Sequence, residues 1–496
     1  MFYESTRNNT LQVESSEAML SGLAPDGGLF IPNTIPDMFK NGSKWLGLDY
    51  IGRTKEVLSA YLTDFAPDEL DRAVKAAYGG SQFDSKKIAP MKRLGGQISV
   101  LELFHGPTLA FKDMALQLFP HLLVEAKNKL GNKNHLVILV ATSGDTGKAA
   151  LEGFRDIPDM DIIVFYPENG TSELQKKQMI TQEGRNVHVM GVSGNFDDAQ
   201  RGVKQAMSDT ALINKLASSG LSFSSANSIN WGRLVPQIVY YLSAYCDMVE
   251  NGTIRWGDRI NITVPSGNFG NILAAYLAKA SGLPIDKLIC ASNSNNVLYD
   301  FIRSGNYNRN RFLKKTVSPS MDILVSSNLE RLLYLLTNRN SQKVIRMMKE
   351  LNENGFYTVD NELYARLRDS FNSGFATDEE TMDTIRSVYH DYNYLIDPHT
   401  AVGMKVAVEF CANTSSKAPM LVVSTASPFK FPRAVASALG LKASGSDSAI
   451  NEMVARHCGI EVPRALIDLE DKKVLFPQSC TPSEIPMIIS RIIAKL

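Results

Sequence analysis

Short apolar runs alternate with helical patterns along most of this chain, and the alternation limits the folds open to it. The run at residues 136–141 is continuously apolar, which is typical of a parallel strand buried on both faces. Several of the runs lead into loops rich in Ser, Thr, Gly and Asn and then into a helix, as in βαβ units. An α/β fold with parallel sheets is therefore predicted. The runs lie at residues 98–104, 136–141, 162–166, 187–192, 260–264, 288–292 and 420–424.

Length and charge narrow the class of protein. The chain has 496 residues, more than one hydrophobic core usually supports, which indicates two or three domains. Lys plus Arg and Asp plus Glu each number 52, so nothing predicts a nucleic-acid-binding surface. No apolar run approaches the ~20 residues of a membrane span, and no signal-peptide pattern opens the chain. We expect a soluble, cytoplasmic protein without nucleic-acid or membrane partners.

Cysteines and histidines are too dispersed to predict a disulfide framework or a metal site. The five cysteines include no CxxC pair, and the seven histidines include no HExxH motif. His105 and His399 each adjoin a proline turn and are open to a structural interpretation. Without a GxSxG motif, a hydrolase triad has no support. The chemistry is therefore sought in the loops that follow the strands.

Lys112 stands in the stretch His105-Gly-Pro-Thr-Leu-Ala-Phe-Lys-Asp113, at the predicted start of an apolar-periodic helix. The positive end of a helix dipole, and burial beside Phe111, would favour its neutral amine. A neutral amine can form a Schiff base with an aldehyde cofactor. Taken alone, the stretch favours a simpler interpretation, a solvated lysine in the first turn of a surface helix.

The loop Ser266-Gly-Asn-Phe-Gly-Asn271 follows an apolar run and contains no Lys or Arg. Its glycines allow close approach of the backbone, which suits a phosphate group held by amides at a helix N-terminus. Gly267 and Gly270 form GxxG and not the dinucleotide fingerprint. An ordinary βα turn remains the alternative.

A second loop, Thr142-Ser-Gly-Asp-Thr-Gly147, also joins a predicted strand to a predicted helix. It is not a Walker A loop, because Thr142 replaces the first glycine and Ala149 replaces Ser or Thr. Its hydroxyl and N–H groups could bind a substrate carboxylate. Alternatively, Ser143, Asp145 or Thr146 simply caps the helix.

Two further polar stretches are candidates for binding. Asn227, Ser228, Asn230 and Arg233 precede an aromatic helix, and Arg233 could hold a phosphate or carboxylate through two hydrogen bonds. A surface arginine beside turn-forming residues is the alternative. Thr425 ends an apolar run, where its hydroxyl could face a pyridine nitrogen or merely cap the next helix.

Taken together, these stretches resemble the threonine synthase family. Members of that family use pyridoxal phosphate (PLP) and have the tryptophan-synthase-β-like fold, PLP fold type II. The resemblance covers most of the chain, and its motifs follow in the family's order. They are Ser5-Thr6-Arg7 and residues 22–32, 105–113, 142–147, 227–233, 265–270 and 424–431.

The resemblance assigns roles to individual residues. Lys112 would be the Schiff-base lysine, and Thr425 would face the pyridine nitrogen, which a neutral partner leaves largely unprotonated. Ser427 departs from the family, which often has His before the proline. The cofactor-phosphate loop would comprise Gly267, Asn268, Phe269, Gly270 and Asn271. The substrate would be bound by Ser143, Asp145, Thr146, Asn227, Ser228, Asn230 and Arg233.

The implied reaction converts O-phospho-L-homoserine and water to L-threonine and phosphate. A serine/threonine dehydratase of the same fold is the nearest alternative, and a non-catalytic phosphate- or nucleotide-binding regulatory protein is a more distant one. We expect a monomer or a homodimer.

The predicted domains are an N-terminal subdomain (1–96), an α/β domain with Lys112 (97–250), a second α/β domain with the phosphate loop (251–305 and 394–496) and a mostly helical insertion (306–393). Clear buried strands are not predicted in the insertion.

Overall fold

The computed structural model describes residues 1–142, 144–168, 171–467 and 469–496. Ser143, a predicted substrate-loop residue, lies outside the described residues. The strands are β1 (Tyr3–Ser5), β2 (Asn8–Val13), β3 (Phe30–Pro32), β4 (Met91–Gly95), β5 (Ile98–Glu102), β6 (His135–Ala141), β7 (Met160–Pro167), β8 (Val187–Val192), β9 (Leu221–Ser225), β10 (Ile260–Pro265), β11 (Ile285–Ser292), β12 (Asn306–Asn308), β13 (Phe356–Thr358), β14 (Phe371–Phe375), β15 (Met420–Ser424) and β16 (Ser479–Cys480).

Helices separate most of these strands along the chain. They are α1 (Ser15–Ser21), α2 (Tyr50–Tyr61), α3 (Pro67–Tyr78), α4 (Asp113–Leu116), α5 (Phe119–Lys129), α6 (Asp145–Phe154), α7 (Glu173–Ile180), α8 (Phe196–Ser208), α9 (Thr210–Ser218), α10 (Trp231–Glu250), α11 (Gly270–Ala280), α12 (Val297–Ser304), α13 (Leu329–Leu336), α14 (Ser341–Asn354), α15 (Asn361–Ser370), α16 (Asp378–Tyr392), α17 (Pro398–Asn413), α18 (Pro432–Ala438), α19 (Asp447–Cys458) and α20 (Ile485–Ile493). Short 3₁₀ turns lie at Phe39–Trp45, Pro319–Met321, Pro428–Lys430, Arg464–Leu466 and Pro482–Glu484.

Two largely parallel sheets form the frame of the molecule. The larger has the strand order β14-β11-β10-β15-β5-β4, in which only the edge strand β4 is antiparallel. The smaller, entirely parallel, has the order β16-β8-β7-β6-β9. The central strands β7, β10 and β15 are buried along their whole length, which explains their largely apolar character.

Helix α10 packs against both the helix that follows Lys112 and the helix that follows the phosphate loop. Nearly all of its residues are buried, and it packs against α2, α4 and α11. Because α4 follows Lys112 and α11 follows the phosphate loop, α10 sets the distance between them. No helix in the described residues is both long and apolar enough to span a membrane.

The strand pairing departs from the predicted domain division in three places. Strand β5, assigned to the Lys112 domain, pairs with β15 in the larger sheet. Strand β14, within the segment predicted as a helical insertion, pairs with β11 of the same sheet. Strand β16, near the C-terminus, pairs with β8 of the smaller sheet. Apolar runs predict that strands exist, but a strand's partner depends on long-range packing.

The predicted helix behind Lys112 is interrupted. It consists of α4 and α5, separated at Gln117 and Leu118. Pro120 stands in the first turn of α5. Proline has no N–H to continue a helix but fits the first turn of a new one.

Candidate active site

Backbone hydrogen bonds join the Lys112 loop to the segment after β15. The Phe111 N–H donates to the Thr425 carbonyl at 2.8 Å, and the Ser427 N–H donates to the Leu109 carbonyl at 3.0 Å. These bonds bring Lys112 next to Thr425, a residue more than three hundred positions away in the sequence. The segment that carries Thr425 is thus held against the loop that carries Lys112, and the role of the Thr425 hydroxyl stays a prediction.

Lys112 immediately precedes α4, and 13% of its side chain is exposed. Its Nζ lies 3.9 Å from Asp145 Oδ2 and 4.8 Å from the centre of the Phe111 ring. Burial lowers the pKa of Lys112 to about 8, Asp145 opposes the shift, and Lys430 and Arg233 add to it. Roughly a tenth of this lysine is therefore the neutral, nucleophilic amine at pH 7, a far larger share than for an exposed lysine.

Asp145 is the centre of the charged network at the start of α6. Its Oδ1 accepts hydrogen bonds from Lys430 Nζ and Gln175 Nε2, both at 2.8 Å, and its Oδ2 accepts one from Ser320 Oγ at 3.1 Å. Burial alone would raise the pKa of Asp145, but Lys430 and Lys112 hold it well below its usual range. Asp145 therefore stays ionised and acts as an acceptor, not as an acid.

Asp113 fixes the turn that leads into Lys112. Its carboxylate accepts the Thr108 N–H at 2.8 Å and the Thr108 hydroxyl at 2.6 Å. Burial raises the pKa of Asp113 to about 6, against the effect of these two bonds. The Thr108 carbonyl accepts Lys430 Nζ at 2.8 Å. Lys430 thus links the lysine loop to Asp145.

The phosphate loop follows β10 and ends at the N-terminus of α11. Phe269 adopts the left-handed conformation, with φ of +63°, a strained geometry for a non-glycine residue that is typical of ligand-binding loops. The Gly267 carbonyl accepts Ser326 Oγ at 2.7 Å, and the Asn268 carbonyl accepts the Asn328 N–H at 3.1 Å. Residues of the predicted helical segment thus hold this loop in place.

Gly267 places the phosphate loop in the same site as Lys112. A Cβ atom at this position would lie 2.9 Å from the Ser320 carbonyl oxygen, so a larger residue would push the Ser320 turn away. Ser320 in turn donates to Asp145, whose carboxylate faces Lys112. Ser320 and Asp145 therefore connect the phosphate loop to Lys112 by direct contacts.

Arg233, on the first turn of α10, is a buried cation. Its Nη1 donates to the Ala226 carbonyl at 2.7 Å, and its Nε is buried without a hydrogen-bond partner. Burial lowers the pKa of Arg233 to about 10. No carboxylate of the described residues forms an ion pair with it. A buried guanidinium in this state is complementary to an anion.

The other residues of the predicted substrate sites differ in how free their side chains are. Asn230 caps α10: its Oδ1 accepts the Gly232 N–H at 2.9 Å, and its Nδ2 donates to the Met19 and Ser225 carbonyls. We infer a capping role for it in place of the predicted substrate contact. Asn227, Ser228 and Thr146 are half-buried.

Asn271 and Ser427 are also fixed by local contacts. Asn271 Oδ1 accepts the Tyr240 hydroxyl at 2.5 Å, while its Nδ2 is buried without a partner. The Ser427 hydroxyl accepts the Phe429 N–H at 3.4 Å and so caps the following 3₁₀ turn. A serine at this position therefore has a local structural role.

His399 is a buried histidine near the Ser320 turn. Its Nε2 accepts the Ser320 N–H at 3.1 Å, which places its ring proton on Nδ1, 2.8 Å from Asp397 Oδ1. His399 thereby supports Ser320, which contacts Asp145.

Comparison with known proteins identifies the family. A family model described as pyridoxal-phosphate dependent enzyme matches residues 82–426, and models described as threonine synthase N terminus and threonine synthase, C-terminal match residues 2–78 and 400–475. A threonine synthase of Pseudomonas aeruginosa is 40% identical over 440 residues, which cover 88% of this chain and 90% of that protein. The chain belongs to the threonine synthase family.

Other relatives and a solved structure agree. A threonine synthase of Schizosaccharomyces pombe is 38% identical over 482 residues and 91% of both chains. The crystal structure of PLP-bound threonine synthase from Brucella melitensis superposes with a TM-score of 0.88 at 36% identity, covering 100% of this chain and 99% of that one. The predicted α/β fold, PLP fold type II, is confirmed. The human protein named threonine synthase-like 1 is 42% identical, and the chain spans 58% of its length.

The residues present fit the PLP of this family. The phosphate loop has no cationic side chain, it leads into the N-terminus of α11, and the buried Asn271 Nδ2 lacks a partner. Lys112 has the lowered pKa that covalent attachment requires, and Thr425 lies beside it. These features match a phosphate group, an aldehyde and a ring nitrogen.

Several residues of this site were not singled out by the sequence. Lys430 lies in the stretch 424–431 after β15. A lysine among apolar residues there is a sign of a buried, functional charge. His399 had a weak signal, its position after a proline at a helix start. Ser320 and Asn328 had none, because they belong to the segment predicted as a helical insertion.

His105, at the start of the Lys112 loop, joins two carboxylates. Its Nδ1 lies 2.5 Å from Asp84 Oδ1, and its Nε2 lies 2.8 Å from Glu102 Oε2. Burial alone would lower the pKa of His105, but the two carboxylates raise it from 6.5 to about 9. The protonated ring therefore ties the loop to its neighbours at neutral pH.

We expect this cluster to make stability depend on pH. Because the folded pKa of His105 exceeds the unfolded value, its contribution is present below pH 6.5 and is lost as the pH rises through 9. The loss is up to about 3 kcal/mol of unfolding free energy. Urea unfolding across this pH range should show a smaller loss in His105→Asn. His390→Asn, at an exposed ring, should keep the wild-type pH dependence. Equal pH dependence in His105→Asn and wild type would contradict the assignment.

Proposed function

We propose that this chain is a threonine synthase that converts O-phospho-L-homoserine and water to L-threonine and phosphate. The observation that carries the proposal is Arg233, a buried guanidinium with a free Nε close enough to Lys112 to affect its pKa. The phosphate loop supplies one anion site without cations, and Arg233 supplies a second, cationic one. A PLP enzyme whose substrate carries its own phosphate needs both.

Lys112 has the properties needed to move protons at the reacting carbons. When bound, PLP supplies an electron sink that makes the Cα proton of an attached amino acid acidic. With a pKa near 8, the free Lys112 amine can take up a proton from Cα and then from Cβ, and can return one to Cγ. The ionised Asp145 stabilises the ammonium form of Lys112 between these transfers.

The segment 227–230 before α10, which we call the substrate turn, would orient the leaving phosphate. We propose that Arg233, Ser228 and Asn227 bind it, because the buried arginine donates to the carbonyl of Ala226, which directly precedes the half-buried Asn227 and Ser228 in the chain. Loss of phosphate from Cγ requires a positive charge where negative charge develops. Thr146 and the N–H groups at the start of α6 are proposed to bind the carboxylate of the substrate, while the ionised Asp145 stays paired with Lys430. The predicted cytoplasmic location and the monomeric or homodimeric state stay predictions.

The reaction products separate the candidate functions. Purified protein with PLP and O-phospho-L-homoserine should release inorganic phosphate and L-threonine in equal amounts, measured by colorimetric assay and amino-acid chromatography. A dehydratase would instead act on serine or threonine and release ammonia and a 2-oxo acid. A regulatory binding protein would form no product from any of these. Absence of threonine, with PLP bound, would overturn the proposal.

A further inference from the structure

Asn328, just before α13, lies between the two loops on which the site depends. Its backbone N–H and its Nδ2 both donate to the Asn268 carbonyl of the phosphate loop, each at 3.1 Å. The same Nδ2 lies 3.4 Å from Ser228 Oγ in the substrate turn. Asn328 is fully buried. One amide group therefore contacts both loops.

Arg331 determines which way that amide faces. Its Nη1 donates to Asn328 Oδ1 at 2.6 Å, and its other nitrogens donate to the Phe30 and Ile229 carbonyls at 2.9 and 2.5 Å. A guanidinium can only donate, so the amide oxygen faces it and the amide NH₂ is left for the loops. Burial lowers the pKa of Arg331 to about 9. No carboxylate of the described residues forms an ion pair with it.

The N-terminal segment anchors this turn from the outside. Glu330 lies between Asn328 and Arg331 in the sequence. Its carboxylate accepts hydrogen bonds from Thr6 Oγ1 at 2.6 Å and from Nε and Nη2 of Arg7 at 3.0 and 2.9 Å. The Ser-Thr-Arg motif near the N-terminus, to which the sequence assigned no role, thus holds the turn that carries Asn328 and Arg331.

We propose that Asn328, oriented by Arg331, is a positioning residue that couples the cofactor-phosphate loop to the substrate turn. In a trans peptide the carbonyl and the following N–H point in opposite directions. Two hydrogen bonds to the Asn268 carbonyl therefore fix the direction of the Phe269 N–H, in the loop that binds the cofactor phosphate. The contact with Ser228 places the same constraint on the substrate turn; that half of the inference rests on the proposed function.

The proposal is tested by measuring the affinity of the Asn328→Asp apoenzyme for PLP and comparing it with that of the wild type. Aspartate keeps the contact with Arg331, but its oxygens repel the Asn268 carbonyl because they cannot donate. We expect the PLP Kd to rise about tenfold, equivalent to ~1.4 kcal/mol, by titration of cofactor absorbance. The melting temperature of the apoenzyme should not fall, because the carboxylate pairs with Arg331. A residue with only a structural role would lower stability and affinity together.

Asn340→Asp is the matched control, since Asn340 is an exposed helix cap on α14, and its PLP Kd should stay within twofold of wild type. A Kd within twofold in Asn328→Asp, or a matched fall in melting temperature, would overturn the proposal. If that variant does not fold, Asn328→Ser decides: it keeps the backbone donor but loses Nδ2, and an unchanged Kd would overturn the proposal.

The substrate half has its own readout. At saturating PLP, Asn328→Ser should raise KM for O-phospho-L-homoserine at least about threefold with kcat little changed. An unchanged KM would overturn the coupling to the substrate turn. A wild-type protein that binds PLP but makes no threonine would instead refute the proposed function, and the PLP titrations would still decide the cofactor half.

Discussion

A Lys112→Ala variant is expected to lose at least about 10³-fold in threonine formation, since no other group at this position can attach the cofactor and move protons. The visible absorption of PLP held covalently by a lysine should disappear as well. Lys112 is the residue whose Nζ combines a pKa near 8 with contacts to both Asp145 and the Phe111 ring. Product chromatography and an absorption spectrum measure the two effects.

Lys127→Ala controls for the loss of a buried lysine as such. Lys127, on α5, also has a pKa lowered by burial, and its Nζ donates to the Asp159 carbonyl at 3.3 Å. This variant should keep the PLP absorption and most of the turnover. A Lys112→Ala protein that still made threonine, without covalently held PLP, would contradict the role of Lys112.

The strands and the loops that follow them could be predicted from the sequence because both are local properties. A run such as residues 136–141 is buried wherever it pairs, and its apolar character shows this. The partners of a strand are not local. Strands β5 and β14 join the larger sheet through contacts with β15 and β11, and no pattern within either strand indicates that choice.

The same distinction separates the site residues that the sequence singled out from those that it did not. Lys112 and the phosphate loop were found because turn-forming residues mark each at a helix start. Lys430, Ser320 and Asn328 act through long-range contacts: the first two contact the Asp145 side chain, and the third contacts the backbone carbonyl of Asn268. Such contacts exist only after the chain has folded, so the sequence carried little sign of them.

Of the residues that the sequence did not single out, Lys430 has the largest expected effect on the site. Its ammonium is completely buried, 2.8 Å from Asp145, and it lowers the pKa of Lys112. Two buried lysines thus share one carboxylate. Lys430 is the closer of the two to Asp145, and its positive charge adds to the burial that lowers the pKa of Lys112, which lies 3.9 Å from the same carboxylate.

Lys430→Met should therefore impair both chemistry and stability. Without Lys430, Asp145 pairs with Lys112, whose pKa rises, so less of the neutral amine is present at pH 7.5. Turnover should fall about 10²-fold. The rate of PLP binding to the apoenzyme depends on pH, and the midpoint of that dependence should move from near 8 to a higher value. Because one partner of a buried ion pair is removed, unfolding free energy should fall by about 3 kcal/mol, measured in urea.

Lys148→Met separates these effects. Lys148 is a largely buried lysine on the same helix as Asp145, but it pairs with Glu152 at 2.9 Å. Its loss should reduce stability while the pH midpoint of PLP capture stays at the wild-type value. If Lys430→Met left that midpoint unchanged, or moved it to lower pH, Lys430 would not contribute to the lowered pKa of Lys112. A shift to higher pH in Lys430→Met alone would show that this buried lysine adds to the effect of burial on the pKa of the reactive amine.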